Sequence, residues 1–468
     1  MHLTTSKKTK ICLADYDFQK DIRNRLLMAQ LTAFDLEVLQ EILSSSLTVP
    51  LSSLIDYLDC SASDLDLSLE KLSQSGLFFR EGDKLIVDKE TRKYFDFHAE
   101  KFESRFKPDM EYFQGLLHQV PIHVLPTWYA IPRTSDSIFQ SIIEKFLFTP
   151  KVYREYLNEL QYEDSTLEEM IQDIHQSPNQ EIRSDVLAEK YGLSTEQLAE
   201  TLIYLEYSLV ASASYRLEGD RYVEVVTPFH EWQQYLRFLE ETSRSNIEDE
   251  ANIEPVQSGD FAFVRDMTLL LETFQNTEIT EEELNGDSNA LSKNLEKGVA
   301  AFHILQQKTF QKIIQTLFAL RFIEIIDGIV HPSESAEHWL SMVLEDKAIF
   351  LYRHHSSSTG DRYQLSAADR YIRRIERGLR RVLNQGWVLF DDFMKGFSEA
   401  VGSAEKISLQ QEGRQWSYKL PEYSESDRAF IRTVVMERFF EVGFIELGNY
   451  EGQDCFRLST FGMLALQD

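Results

Sequence analysis

The chain has 468 residues and a formal net charge of −29, and 43% of its residues are hydrophobic. This much apolar material excludes a globally disordered chain, and at about 150 residues per domain the length predicts about three domains. The acidic excess, 77 acidic against 48 basic side chains, excludes a protein whose whole surface coats nucleic acid or an anionic membrane.

The cysteines Cys12, Cys60 and Cys455 are far apart, and none forms a C-x-x-C pair with another. We therefore expect neither a disulfide framework nor a zinc or thiol-exchange site. The first residues are basic but lack the apolar run of a signal peptide, and no stretch approaches the roughly 18 apolar residues of a membrane span. These features predict a cytoplasmic protein without a membrane partner.

One pattern, a helix followed by a hairpin, recurs along the chain, at residues 65–88, 198–226, 310–332 and 430–459. Each occurrence begins with apolar residues at helical spacing, such as Leu65, Leu69 and Leu72. Each then alternates as strand, turn and strand around a glycine. These glycines are Gly82, Gly219, Gly328 and the pair Gly448 and Gly452. The change of period from about 3.6 to 2 is typical of a winged helix, whose third helix leads into a β wing.

Candidate first and second helices precede the first two occurrences. Residues 32–44 come before PLSSLIDYLD, and residues 165–176 come before SDVLAEKYG. In the latter case Gly192 fits the turn of a helix-turn-helix, and Ser194 fits the N-cap of its second helix.

The sequence therefore predicts a mostly α (α+β) fold of tandem winged-helix units with short two-stranded β wings, in two halves joined by a linker. The predicted divisions are a first unit with an N-terminal extension (1–97), a helical connector with a proline-rich loop (98–160), a second unit (161–240), an acidic linker (241–260), a third unit (261–353) and a fourth unit with an arginine-rich helix (354–468). In the connector, Trp128 and Tyr129 either pack on neighbouring elements or form a ligand-recognition loop.

The segment RYIRRIERGLRR, residues 370–381, carries a charge of +5, which leaves −34 for the rest of the chain. Ser366 and Asp369 resemble the start of a capping box. At about 100° per residue the apolar side chains form one stripe and the arginines the opposite face. The stripe comprises Ile372, Ile375, Leu379, Val382 and Leu383, and the candidate binding residues are Arg370, Arg373, Arg374, Arg377, Arg380 and Arg381.

So many guanidinium groups on one face repel one another unless an anionic group lies close. The partner could be the acidic surface of another domain of this chain, a nucleic-acid backbone, whose phosphates match arginine geometry, or an acidic segment of another protein.

The first two predicted units do not suit DNA. A recognition helix needs basic or neutral polar side chains beside phosphate, and these helices present carboxylates instead. The first has Asp64, Asp66 and Glu70 against Lys71, and the second has Glu196, Glu200 and Glu206 without a basic partner in the helix. Protein contact or simple solvation is the expected role of these faces.

No phosphate-binding loop, dinucleotide fingerprint or nucleophile elbow occurs in the sequence. HEWQQ at His230 begins like a zinc-binding helix, but Gln234 stands where the second ligand would be. Acidic groups at Asp391–Asp392 and Glu281–Glu283 fit helix starts or solvated charge. We therefore predict no catalytic residues, no cofactor and no metal.

The C-terminal segment FFEVGFIELGNYEGQDCFRLSTFGMLAL resembles the closing part of bacterial helicase-associated winged-helix regions, which end in a helix, a short wing and an FRLT-x-x-G-x-x-L tail. Here the tail is FRLSTFGMLAL, from Phe456 to Leu466. The resemblance covers about 30 residues, or about 100 with the arginine helix included. It implies an accessory module beside a DNA- or RNA-directed ATPase, although the chain has no helicase motor motifs of its own.

These observations predict a non-enzymatic adaptor or regulator acting in transcription or beside a DNA-remodelling ATPase. Its acidic units would contact a protein, and residues 370–381 would contact a nucleic-acid backbone without reading sequence. The alternative is a scaffold or complex-assembly factor whose arginine face is paired internally, and an enzyme with a site built from scattered residues is a third hypothesis. The partner protein and the oligomeric state are left open.

Overall fold

The structure is a computed structural model that describes residues 9–135, 137–160, 165–243, 246–256, 260–285, 307–354 and 362–467. The chain divides into two compact units. The first unit comprises Met1–Arg237 and Ser408–Lys419, and the second comprises Phe238–Ile407 and Leu420–Asp468. Helices predominate, and the strands form small sheets of two to four strands, so the fold is mixed α+β as predicted.

The regular elements follow one another along the described ranges. The helices are α1 (Phe18–Met28), α2 (Ala33–Ser44), α3 (Leu51–Leu58), α4 (Ala62–Ser73), α5 (Lys89–Ala99), α6 (Met110–Leu117), α7 (Leu125–Trp128), α8 (Ile138–Ile142), α9 (Pro150–Glu159), α10 (Ser165–Gln176), α11 (Ser184–Tyr191), α12 (Thr195–Tyr207), α13 (His230–Ser243), α14 (Ala262–Asn276), α15 (Glu281–Asn285), α16 (Gln307–Ala319), α17 (Glu334–Leu340), α18 (Leu344–His354), α19 (Arg362–Leu379), α20 (Phe390–Gly396), α21 (Glu425–Thr433) and α22 (Thr460–Gln467). The strands are β1 (Thr48–Pro50), β2 (Phe78–Glu81), β3 (Lys84–Val87), β4 (Ile182–Arg183), β5 (Ala211–Glu218), β6 (Arg221–Pro228), β7 (Ile253–Pro255), β8 (Ile323–Ile326), β9 (Ile329–Pro332), β10 (Val388–Leu389), β11 (Ser408–Glu412), β12 (Gln415–Lys419), β13 (Ile445–Tyr450) and β14 (Gln453–Leu458).

A repeated arrangement organises these elements: helix, short strand, helix, helix and hairpin. The first repeat runs from α2 to β3, the second from α10 to β6, the third from α14 to β9, and the fourth from α19 to β14. In the fourth, the additional hairpin β11–β12 stands between the second and third helices. In the first, second and fourth repeats the short strand pairs with the last hairpin strand, in the orders β1-β3-β2, β4-β6-β5 and β10-β14-β13. In the third, a single bridge between Thr280 and Ile329 replaces that strand. The predicted helix-then-hairpin pattern is thus confirmed in all four repeats.

The hairpin turns divide the repeats into two pairs. In the first two, glycine occupies the first turn position, as in Gly82 and Gly219, with a positive φ. In the third and fourth, Asp327–Gly328 and Glu451–Gly452 have positive φ at both turn positions. Two consecutive positive φ values define the type I′ turn, which matches the twist of the strands and favours glycine at the second position.

Local capping fixes several helix starts. Thr32 with Asp35, Ser194 with Gln197, and Ser424 with Asp427 form reciprocal capping boxes. Each box satisfies backbone N–H groups that the first helical turn leaves unpaired. The predicted cap at Ser194 is therefore confirmed, and Gly192 ends the preceding helix with a φ of 63°.

Tyrosines of the connector close the end of α12. The last helical residue and the two that follow have carbonyl groups that no helical N–H can reach. Three tyrosine hydroxyls donate to them: Tyr129 to Tyr207 (2.7 Å), Tyr156 to Ser208 (2.8 Å) and Tyr153 to Leu209. Trp128 is also buried and donates to the Asp15 carboxylate at 2.7 Å. Trp128 and Tyr129 of the predicted connector are therefore packing residues rather than parts of an exposed recognition loop.

The hairpin β11–β12 belongs to the first unit, although its chain neighbours on both sides belong to the second. The Leu409 N–H donates to the Phe148 carbonyl at 2.8 Å, and the Tyr418 hydroxyl donates to the Leu147 carbonyl at 2.9 Å. Trp416 packs edge-on against Phe139. This hairpin was not predicted from the local sequence, because its burial depends on residues more than 200 positions away.

Separate apolar cores underlie the first and second repeats, whereas one continuous core runs from Phe261 to Leu466 through the third and fourth. The segment predicted as an acidic linker, 241–260, contributes the end of α13 and the strand β7. β7 pairs antiparallel with β13 and makes the fourth-repeat sheet four-stranded, in the order β10-β14-β13-β7.

Candidate functional site

The arginine-rich segment lies on α19 and the short 3-10 turn Arg380–Val382 that follows it. The helix begins at Arg362, so the predicted start at Ser366 is wrong. The preceding arginine, glutamine and leucine favour helix, and this propensity outweighs the capping-box pattern.

The predicted apolar stripe is confirmed. Ile372, Ile375, Leu379 and Val382 are all buried in the core of the second unit. On the same helix Gly378 leaves room for the Phe397 ring, since a Cβ there would lie 2.2 Å from a ring carbon. The core therefore fixes which helix face points outward.

Two of the six arginines turn inward and bind groups of the second unit. Arg374 donates to the Ala400 carbonyl and lies over the Tyr371 ring. Arg381 donates to the Thr242 hydroxyl at 2.7 Å, and its guanidinium packs against Gly396, where any side chain would collide with it. These two arginines are fixed structural groups.

The other four form an exposed surface that we call the arginine ridge. It comprises Arg370, Arg373, Arg377 and Arg380. Their spacing of three, four and three residues places them on one side of the helix. Arg377 Nη1 lies 3.9 Å from a carboxylate oxygen of Glu399, which is an ion-pair distance but too long for a hydrogen bond.

The acidic residue within the segment does not neutralise the ridge. Glu376 is half-buried and accepts a hydrogen bond from the Tyr352 hydroxyl at 2.7 Å. Arg373 and Arg380 make no hydrogen bond or ion pair to any residue that the structure describes. At Arg373 and Arg380 the ridge therefore presents positive charge to solvent.

The acidic face predicted for the first repeat is confirmed. Asp64, Asp66 and Glu70 of α4 are exposed. Lys71, which could have offset them, instead pairs with Asp35 of α2, and Arg80 pairs with Asp66 at 2.8 Å. This helix would be repelled by a phosphate backbone.

The prediction for the second repeat is partly wrong. Glu196 and Glu200 of α12 are exposed, but Glu206 is completely buried. Its carboxylate pairs with Arg25 of α1 at 2.7 Å and with Lys101 at 2.6 Å. Both cations lie more than 100 positions earlier in the chain, so the helix alone gave no sign of them.

These groups belong to a buried charge cluster of Asp21, Arg25, Lys101 and Glu206 in the first unit. Arg25 Nε donates to Asp21 at 2.9 Å. Hydroxyl groups complete the shell: Tyr16 and Tyr94 donate to Asp21, and Ser212 donates to Glu206. Two carboxylates and two cations balance, as burial of charge requires.

Burial alone would raise the carboxyl pKa values in this cluster. Burial is the largest single influence on both groups, but the charge of Arg25 and the neighbouring cations and hydrogen bonds together outweigh it. The pKa of both Asp21 and Glu206 therefore lies below its ordinary value. His98 lies beside the cluster, and burial, aided by Lys101 and Arg25, lowers its pKa to about 3. Its ring nitrogens make no hydrogen bond to a described residue. The cluster is closed to solvent, and its ions are paired with one another inside the first unit.

The hairpin of the second repeat packs against other elements of the first unit. Tyr215 stacks on Phe102, with ring centroids 4.2 Å apart, and Tyr222 meets the same ring edge-on. At the turn, the Asp220 carbonyl accepts from the Ala33 N–H at 3.0 Å. Packing within the first unit therefore holds this hairpin in place.

The other acidic and histidine motifs take structural positions. Asp391 and Asp392 lie in the first turn of α20, and Glu281–Glu283 in the first turn of α15, where carboxylates stabilise the helix. His230 is the first residue of α13. Over the described ranges, no group of His, Cys, Asp and Glu side chains could hold a metal ion.

No family model matches this sequence, and no curated protein matches it. Within the part of the chain that the structure describes, no helix has the length and apolar character needed to cross a membrane.

Proposed function

We propose that the four repeats are winged-helix units. The order of helix, strand, helix, helix and hairpin supports this proposal, as does the pairing of the short strand with the last hairpin strand. On this assignment the third helix of each repeat would occupy the recognition position, and the arginine ridge lies on the first helix of the fourth repeat.

We further propose a non-enzymatic adaptor or regulator that acts in transcription or beside a DNA-remodelling ATPase. The arginine ridge would contact a nucleic-acid backbone, and the acidic faces of the first two repeats would contact protein. The observation that carries the proposal is the exposure of four arginines on one side of a helix whose other side is held in the core.

The position of the ridge favours backbone contact over sequence recognition. Guanidinium groups fit phosphate oxygens in a bidentate geometry, and phosphate contacts position a protein without reading bases. A first helix lies beside the groove-reading helix rather than in the groove. Binding would therefore be tolerant of sequence and sensitive to salt.

The alternative is a scaffold that binds only proteins. The inward contacts of Arg374 and Arg381 favour it in part, because they show that arginines of this segment also serve internal packing. The two functions differ in what the ridge arginines do, so a single set of variants separates them.

The test is fluorescence anisotropy with a mixed-sequence DNA duplex and an RNA hairpin over a salt series. The variant is Arg373→Glu/Arg377→Glu/Arg380→Glu. The matched control, Lys93→Glu/Lys151→Glu/Arg216→Glu, changes net charge equally at exposed positions of the first unit (62%, 86% and 62% exposed). We expect wild type and control to bind with a log–log salt slope of about −3.6 for four phosphates, at about −0.9 for each.

In the ridge variant, binding should be lost while melting is unchanged. Equal weakening by the control would mean that only net charge matters, and would refute a ridge site. Absence of binding by wild type at low salt would favour the scaffold, for which a protein partner would then be sought.

A further inference from the structure

Among the described residues, no strand pairs with the outer edge of β8 in the third repeat. The hairpin has a two-residue turn, so Ile326 pairs with Ile329 and Ile325 with Val330. The Val330 N–H donates to the Ile279 carbonyl at 2.9 Å and so points away from β8. Ile325 opposite it is therefore a non-hydrogen-bonded ladder position, whose own N–H and C=O point to the outer edge.

This edge is also apolar. Ile325 and Ile326 are 36% and 50% exposed, and their side chains point to opposite faces of the strand. Among the described residues no strand pairs with this edge, and none bonds the Ile325 N–H or C=O. Exposed apolar edges of this kind are templates for a further strand.

In the fourth repeat, the corresponding strand edge is paired with a further strand. Its hairpin has the same turn type, and superposing the two turns in sequence places Ile325 where Asn449 stands and Ile323 where Leu447 stands. In the fourth repeat this edge is covered, because Asn449 pairs with Glu254 of β7 and the Leu447 carbonyl accepts from the Val256 N–H at 3.0 Å.

The first two repeats protect the same edge in other ways. On β2 of the first, Arg80 and Glu81 are exposed charges, and Arg80 is paired with Asp66. Charged residues on an edge strand discourage added strands. On β5 of the second, the Ala213 N–H donates to the buried Glu206 carboxylate at 3.3 Å. These strands also carry exposed apolar side chains, Phe79 (61%) on β2 and Leu217 (53%) on β5. At the two positions before the turn, however, the first repeat has Arg80–Glu81 and the second has Leu217–Glu218, whereas the third has two exposed isoleucines.

Charge identifies the kind of strand that would fit. Glu324 on the strand and Asp327 in the turn are exposed, and Glu281 is joined to the turn by its N–H, which donates to the Gly328 carbonyl at 3.0 Å. Pairing two copies of this chain through β8 would bring these acidic groups together in a protein of net charge −29. Like charges at that spacing oppose association, whereas basic side chains would be attracted.

We propose that the outer edge of β8 binds a short extended segment of a partner protein as an added antiparallel strand, with alternating apolar and basic side chains. Its backbone would hydrogen-bond to Ile325 and Ile323 as β7 does to β13. Its apolar side chains would cover Ile325 or Ile326, and its basic side chains would lie near Glu324 and Asp327. This proposal is independent of the arginine ridge.

The test uses the full chain and a synthetic heptapeptide of alternating lysine and valine. Peptide binding is followed by anisotropy, and amide hydrogen exchange reports protection at Ile325. The variant Ile325→Pro removes the outward N–H. Because this N–H makes no hydrogen bond to β9, proline is tolerated there on an edge strand without loss of a bond within the hairpin. We expect the peptide to slow exchange of the Ile325 amide, and the variant to weaken binding at least tenfold.

Two controls separate strand addition from simple attraction to an acidic protein. A peptide N-methylated on alternate residues keeps its charge but cannot complete the ladder, and it should bind at least tenfold more weakly. Ile325→Lys should also abolish binding, whereas Val343→Lys, the same change at a 61% exposed position elsewhere in the second unit, should weaken it much less. Ile325→Lys decides the matter if Ile325→Pro does not fold.

Three results would overturn the proposal. The first is slow exchange of the Ile325 amide in the protein alone, because the chain would then cover its own edge. The second is failure of the peptide to protect that amide. The third is equal binding of the methylated and unmethylated peptides.

Discussion

The two units of this protein place positive charge in opposite environments. In the first, Arg25 and Lys101 are almost completely buried and paired with Glu206. In the second, Arg373 and Arg380 face solvent without a described hydrogen-bonding partner. The arginines that form a conspicuous cluster in the sequence are thus mainly exposed. The buried cations Arg25 and Lys101 lie in segments with no such cluster.

The difference has an energetic basis. Each buried ion loses its hydration, which costs several kcal/mol, and only close partners and additional hydrogen bonds offset that cost. An exposed arginine retains its hydration, so its interactions with neighbouring charges contribute little to the free energy of unfolding. Substitutions in the buried charge cluster of the first unit should therefore change stability, and those on the ridge should change binding.

The largest effect is expected from Glu206→Ala. It would leave Arg25 and Lys101 buried without their shared carboxylate, and loss of one partner of a buried ion pair costs about 3–5 kcal/mol. Urea unfolding of the full chain measures this change. Glu200→Ala on the same helix is the matched control, because that residue is exposed and should alter stability by no more than about 0.5 kcal/mol. Equal effects of the two substitutions would contradict the burial of Glu206.

A second prediction concerns pH. The His98 pKa is about 3 in the folded chain and 6.5 ordinarily, so only the unfolded chain takes up a proton between these values. Stability should therefore fall by about 1.4 kcal/mol per pH unit as the pH drops below about 6.5. Asp21 and Glu206, whose pKa values are lowered, add a loss of the same sign below about pH 4.

His98→Phe should remove the histidine contribution. Between about pH 7.5 and 5 the variant should lose about 2 kcal/mol less stability than wild type. Any constant packing cost of the larger ring cancels in this difference between two pH values. Parallel stability profiles for the two proteins would mean that His98 is charged in the folded state.

The smallest effect separates the inward from the outward arginines. Arg381→Ala removes the hydrogen bond to the Thr242 hydroxyl and the packing on Gly396, and should cost about 1–2 kcal/mol. Arg380→Ala, one residue away and exposed, should cost less than about 0.5 kcal/mol. Thermal melting followed by circular dichroism compares them directly. The opposite order would show that the ridge was assigned to the wrong face.

Much of the local structure was predictable from the sequence. The glycine turns at Gly82, Gly219 and Gly328, the cap at Ser194 and the apolar stripe of α19 all depend on residues a few positions apart. Backbone sterics, capping and helical periodicity act over that range, so the sequence pattern contains the necessary information. Even there, the predicted start of α19 at Ser366 was wrong, because a capping pattern competes with the helix propensity of the residues before it.

What the sequence determined by itself is therefore the succession of helices and hairpins and the position of the arginine helix. Tertiary structure alone decided that Glu206 is buried, that Arg374 and Arg381 turn inward and that β11–β12 joins the first unit. It also decided that β7 covers the edge of β13, whereas no described strand covers the outer edge of β8. The physical reason is that each of these outcomes depends on partners far away in the chain. Charge burial and strand pairing are set by contacts between such residues, and no local pattern specifies those contacts.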